Sequence, residues 1–169
     1  MNQRNTPLGF QQITGLTAAV NLTLPVGAQA ARGTSCNLNG KLLTVGGTIT
    51  GTFGINQVVQ GTGIPPNTYI TGPGSISGQW ILSNACTTET SETVTAYLPV
   101  TVHVAIIKCT GQTVMWRDDG SAPTSTIGMP MLIGDPPFEY WGTLTAIQFI
   151  QASATAVLDV SYYALEGGS

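Results

Sequence analysis

Between Lys41 and Glu89 the chain runs through residues 42–88, 47 positions, without one charged side chain. That tract restricts the fold more than any other feature. A surface helix needs Glu, Lys, Arg or Ala on its wet face and an apolar stripe at a period of 3.6. The tract holds instead Gly, Thr, Ile and Val, and residues 41–45, 48–52, 57–60, 68–71 and 79–82 read as short strands. Between them stand Gly46-Gly47, Gly61-Thr62-Gly63, Pro65-Pro66-Asn67 and Gly72-Pro73-Gly74. β-Branched side chains suit a pleated surface, and Gly and Pro punctuate it. Short strands at regular spacing predict a small β-barrel or β-sandwich lobe.

The flanking sequence is of the same class with a different texture. Val20, Leu22 and Leu24 alternate with Asn21 and Thr23, and Val100, Val102, Val104 and Ile106 alternate with Thr101, His103 and Ala105. A period of two is the mark of a half-buried strand. Further strands are predicted at 113–117, 129–133, 138–141, 146–151 and 157–163, with Asp135-Pro136-Pro137 as a loop because proline locks φ. The expected class is all-β: a β-sandwich or jelly-roll-like host domain made of 1–33 and 97–169, carrying 34–96 as an inserted β-barrel or β-sandwich lobe. Residues 1–9 are expected to be a polar N-terminal arm that orders against a neighbour.

Charged residues make up 8% of the chain, against about 25% in an ordinary soluble domain. Polarity comes from 25 Thr and from amides. A surface that gives up charge repulsion in this way belongs in an oligomer or a larger assembly. The net charge is −3 with five Lys and Arg, so phosphate neutralisation has nothing to work with and a nucleic-acid partner is not expected. No apolar run is long enough for a membrane span, and 1–10 lacks the apolar core of a secretory leader. The chain is therefore expected in the cytosol of the producing cell, with no membrane partner. The cysteines are Cys36, Cys86 and Cys109. An odd number without a leader favours reduced thiols. Cys36 and Cys86 flank the charge-free tract, so they either bridge its neck or sit as two small buried thiols. The one histidine, His103, leaves no zinc-finger spacing. It falls on the face opposite the valines and is expected at the surface or an interface.

Chemistry concentrates at residues 114–124, Val-Met-Trp-Arg-Asp-Asp-Gly-Ser-Ala-Pro-Thr, where Arg117, Asp118 and Asp119 stand side by side after Trp116. Adjacent residues of a strand point to opposite faces, so Asp118 and Asp119 do not converge as an acid–base pair. The alternating acids of a calcium loop are missing. Asp-Asp-Gly is natural turn chemistry. His103 and Cys109, six residues apart, would lie about 20 Å apart along a strand, too far for a base and its nucleophile. No Gly-x-Ser-x-Gly elbow and no phosphate loop occur. No catalytic residue, cofactor or metal is expected, and the chain is read as a non-enzyme. Trp116, Arg117, Asp118, Asp119, Tyr140 and Trp141 are the candidate subunit interface, with Arg117 in a local or intersubunit ion pair. The aromatics of the last third would stack a carbohydrate if two or more rings stood exposed in a groove. Otherwise they are core and interface bulk.

Residues 116–124 (Trp-Arg-Asp-Asp-Gly-Ser-Ala-Pro-Thr), Gly128-Met129-Pro130, Ile147-Gln148-Phe149-Ile150 and Val160-Ser161-Tyr162-Tyr163 carry a resemblance. The chain resembles small β-sandwich structural proteins of tailed bacteriophages, with their WRDDG-x-APT…GMP run and final L-x-VSYY strand. This part covers roughly 10–32 and 98–164. The middle is similar to a phage-associated β module with a GTG…GT-x-I signature, here Gly61-Thr62-Gly63 and Asn67-Thr68-Tyr69-Ile70, departing from it at Asn67 and Tyr69. The resemblance implies a virion component assembled in a bacterial cytoplasm and brings no catalytic residues. The expectation is a capsid decoration or cement protein bound to the major capsid protein or other virion subunits, as a homo-oligomer with a trimer first. A neck, tail or head-fibre component and a glycan-binding attachment module are the alternatives.

Overall fold

The computed structural model describes residues 5–165. In chain order the strands are β1 (Asn5–Thr14), β2 (Val20–Asn21), β3 (Gln29–Thr44), β4 (Ile49–Gly51), β5 (Val58–Gln60), β6 (Ile70–Pro73), β7 (Gln79–Tyr97), β8 (Val104–Cys109), β9 (Val114–Arg117), β10 (Met129–Met131), β11 (Phe138–Tyr140), β12 (Gln148–Gln151) and β13 (Val157–Leu165). No helix occurs among the described residues, and the chain is all-β.

The chain forms two compact units, one holding the described residues up to Pro25 and from Thr101, the other Val26–Val100. The second is wider than the expected 34–96. Gln29 already pairs with Tyr97 and Ala31 with Ala96, so the strands that enter and leave the lobe belong to its own ladder.

The first unit has two antiparallel four-stranded sheets, β1-β13-β8-β11 and β10-β9-β12-β2. Both contribute to one core: Ile107, Leu158, Val160 and Tyr162 from the first sheet, Val114, Met131 and Phe149 from the second. This is the sandwich arrangement, each strand sending alternate residues inward. Full burial of each such Leu, Ile, Val or Phe contributes about 1.5–3 kcal/mol.

β8 corrects the expected alternation. The strand starts at Val104, and its core-facing residues are Ala105, Ile107 and Cys109. Ala105 stands opposite Tyr162 on one side and Tyr140 on the other. A small residue there leaves room for two large rings, and its size disguised the buried face. His103 lies before the strand, exposed; its N–H donates to Tyr163 O at 2.9 Å, and its Nδ1 accepts from Leu165 N at 3.1 Å.

The N-terminal arm is also corrected. Residues 5–9 are part of β1, which pairs with β13 from Asn5↔Leu165 to Thr14↔Val157 with a register shift between Pro7 and Gly9. Residues 1–4 of that expected arm lie outside the described residues. β1 is an edge strand, where a proline is tolerated. From β1, Gln11 Oε1 accepts from the buried Tyr162 hydroxyl at 2.6 Å and from Thr23 N at 3.2 Å. Burial raises the Tyr162 pKa above its ordinary value.

The second unit is a single five-stranded sheet, ordered β4-β3-β7-β5 with β6 also on β7. Its core holds Leu38, Leu43, Phe53, Val59, Ile70, Leu82 and Val94. β5 and β6 pair with different stretches of β7, and Val58 of β5 is bridged to Tyr69, the residue before β6. Thr68 is buried and fully engaged, its Oγ1 donating to Pro65 O at 2.6 Å and accepting from Asn84 Nδ2 at 3.2 Å. Cys36, Cys86 and Cys109 are buried free thiols. Cys36 stands opposite Glu92 and Cys86 opposite Gly40, on different rungs of the ladder, so no bridge closes the neck. Burial raises the Cys86 and Cys109 pKa values, which disfavours the thiolate, the reactive form.

Candidate functional site

β9 carries the motif as far as Arg117, between β10 and β12. Trp116 stands opposite Met129 and Phe149, and Arg117 opposite Gln148. The chain then leaves the sheet through Asp118 and Asp119. Gly120 follows with φ +82°, a left-handed conformation that costs glycine least. Gly128, with φ +145°, brings the chain back, where a Cβ would press on Trp116 O at 3.0 Å.

The two carboxylates have separate jobs. Asp119 forms a bidentate pair with Arg117, through Nε–H to Oδ1 at 3.1 Å and a second bond between Nη2 and Oδ2. Its Oδ1 also accepts from Ser121 N at 3.1 Å, closing an Asx turn. The bond from Arg117, then that from Ser121, hold the Asp119 carboxyl below its ordinary pKa of 3.8, and the bond to Asp119 raises that of Arg117. Asp118 Oδ2 accepts from the Tyr140 hydroxyl at 3.2 Å. Tyr140 lies on β11 in the other sheet, so this bond clips the two sheets together. Burial first, then the Asp118 charge, raises the Tyr140 pKa.

Behind this clip runs a file of rings. Trp116 and Phe138 lie 5.1 Å apart at 31°, and Phe138 and Tyr140 lie 5.9 Å apart at 48°. Tilted contacts at these separations are worth about 0.5–1.5 kcal/mol each beyond area burial. Gly142 is required beside them, because a Cβ there would collide with the Tyr140 ring.

The six expected interface residues therefore separate. Trp116, Arg117, Asp118, Asp119 and Tyr140 come together, while Trp141 faces solvent at 54% exposure. Tyr140 is 7% exposed and works inside the chain. Within the chain, Arg117 pairs with Asp119.

Sequence reasoning missed a pocket of about 470 Å³ between β10 and β11, the edge strands of the two sheets. Trp116 and Phe138 line it with Met129, Met131 and three prolines, and Asp135 and Glu139 complete its lining. The available signal was the density of proline: Met129-Pro130-Met131 and Pro136-Pro137 make rigid walls with few backbone donors. Met129 of the lining, and Ile127, Leu132 and Ile133 close to lining residues in sequence, are 50–58% exposed.

Among the described residues no group of three or more His, Cys, Asp or Glu could hold a metal ion. No helix long and apolar enough to cross a membrane occurs among them. No family profile matches the chain, and no curated protein and no solved structure matches it.

Proposed function

We propose that the chain is a non-enzymatic structural protein of a tailed-phage virion, a capsid decoration or cement protein that packs on the major capsid protein or other virion subunits and on copies of itself, with a trimer as the first expectation. One observation carries this reading. The charged groups of the 116–119 stretch are consumed by partners in the same chain, whereas Ile127, Met129, Leu132, Ile133 and Trp141, close by in sequence, are half or more exposed. A charge-poor protein that keeps several large apolar side chains in water is built for contact. The sequence resemblance of residues 116–130 and 158–163 to phage sandwich proteins points the same way. Such a protein acts by repetition: many copies each bury a modest apolar surface, and avidity supplies the strength.

The test is immunogold labelling of intact particles from cells that express the chain. Label over the head supports the cement reading. Label confined to the neck, tail or fibres moves the chain to that alternative, and unlabelled particles overturn the virion reading. A second reading, a glycan-binding attachment module, is favoured by the two rings that line the pocket, Trp116 and Phe138. A glycan array bound by the native protein and not by Trp116→Ala would establish it.

A further inference from the structure

The pocket between β10 and β11 has a chemistry of its own. Its lining includes three prolines, which have no backbone N–H, and the Asp135 N–H is already committed to Leu132 O at 3.1 Å. No Lys, Arg or His lines it. Arg117, next in sequence to Trp116, has its charge held by Asp119. What remains among its lining residues is two aromatics, two methionines and two acids, Asp135 and Glu139, with no cationic side chain. Asp135 is held in place, its Oδ2 accepting from Leu132 N at 2.7 Å, while Glu139 is exposed on an edge strand.

We propose that this pocket takes an arginine-bearing segment of a partner protein. A guanidinium is planar, stacks on an indole or phenyl face and donates in a fork that matches a carboxylate. Charge complementarity thus selects the cation, and Trp116 and Phe138 select the flat one. A volume of about 470 Å³ lies in the range of ligand sites that enclose more than one side chain. Leu132 and Ile133, in sequence between the lining residues Met131 and Asp135 and half or more exposed, extend the apolar surface beyond what a small cation would cover. β10 and β11 are both sheet edges, with backbone groups free to pair with an extended segment. The proposal shares with the virion reading only the idea that this face meets another protein.

The test uses the whole chain and an immobilised library of random hexapeptides with arginine fixed at one position, against the same library with neutral, isosteric citrulline there. The expected result is retention on the arginine library only, weakening several-fold as salt rises. Glu139→Gln, at an exposed position that leaves the fold intact, should cut retention about tenfold, and Trp116→Leu should abolish it. Equal retention by the two libraries, no retention by either, or binding indifferent to Glu139→Gln overturns the proposal. Competition by free arginine amide as effective as by the selected peptides overturns the claim of a protein segment. If particles carry no label while the arginine library is retained, the virion reading falls and the pocket stands.

Discussion

β8 and β13 pair over six residues without a register shift, whereas β3 and β7 shift five times along their ladder. The first pair lies in a sandwich whose core includes Phe149, Tyr140 and Tyr162. The second lies in a single sheet whose buried core includes one aromatic, Phe53. Two sheets with large rings between them need straight strands that hold their alternation, because one slipped residue would turn the rings outward. One sheet that encloses its own smaller core must bend, and each bulge bends it. The same class of structure is thus reached by regular strands where the side chains are bulky, and by irregular ones where they are small.

The comparison can be broken most directly by matched deletions. Leu158→Ala and Leu38→Ala each empty a fully buried site and should each cost about 2–5 kcal/mol. Leu158 sits on the regular ladder, and Leu38 between two register shifts. A site that can collapse costs less, so Leu158→Ala should lie at the upper end and Leu38→Ala at the lower, read by urea denaturation. The reverse order would show that the bulged sheet is the stiffer of the two.

Gly51→Ala addresses the bend of the second unit. Gly51 has φ +72°, and a Cβ there would collide with Ala30 O across the β3–β4 pairing. A loss of about 1–3 kcal/mol is expected, with faster amide exchange in β3 and β4 and none gained in β8 or β13. Tyr140→Phe removes the bond to Asp118 that joins the two sheets of the sandwich. It should cost about 0.5–1.5 kcal/mol, measured by thermal unfolding. A neutral result would mean that the ring file alone holds that end closed.

The smallest effect belongs to the Arg117–Asp119 pair, exposed by 29% and 53%. The folded Asp119 carboxyl lies below its ordinary value of 3.8. Its contribution is therefore fully present above that value and lost as pH falls through the lower, folded one. Native protein should be slightly more stable than Asp119→Asn above pH about 4, and the gap should close as pH falls further and the carboxyl is protonated, since exposed pairs are weak. A gap that persists undiminished in acid would show that something other than the Asp119 charge separates the two proteins.

Legibility followed regularity. β9, β12 and β13 were visible from alternation, and the Asp-Asp-Gly turn from its residue types. β3 and β7 were not. Gly33 and Gly40 inside β3 look like breaks, and every register shift restarts the alternation, so two strands of 16 and 19 residues read as fragments. β1 was hidden because a polar edge strand with Pro7 is indistinguishable from an arm until β13 lies beside it. Of the site, the sequence showed the cluster at 116–119 but not its division of labour. Asp118 reaches Tyr140 across 22 positions, a distance that no local pattern encodes.

Composition and period suffice for the all-β class. Thr, Val and Ile at a spacing of two, with 8% charge, leave no wet face for a helix, and that argument needs only neighbours in sequence. Which face of β8 is buried, where the inserted unit begins, whether Cys36 meets Cys86 and that a pocket opens between β10 and β11 were decided by tertiary structure. Each depends on which distant strands share a ladder or an edge, a choice made by the packing of whole sheets rather than by any stretch of chain.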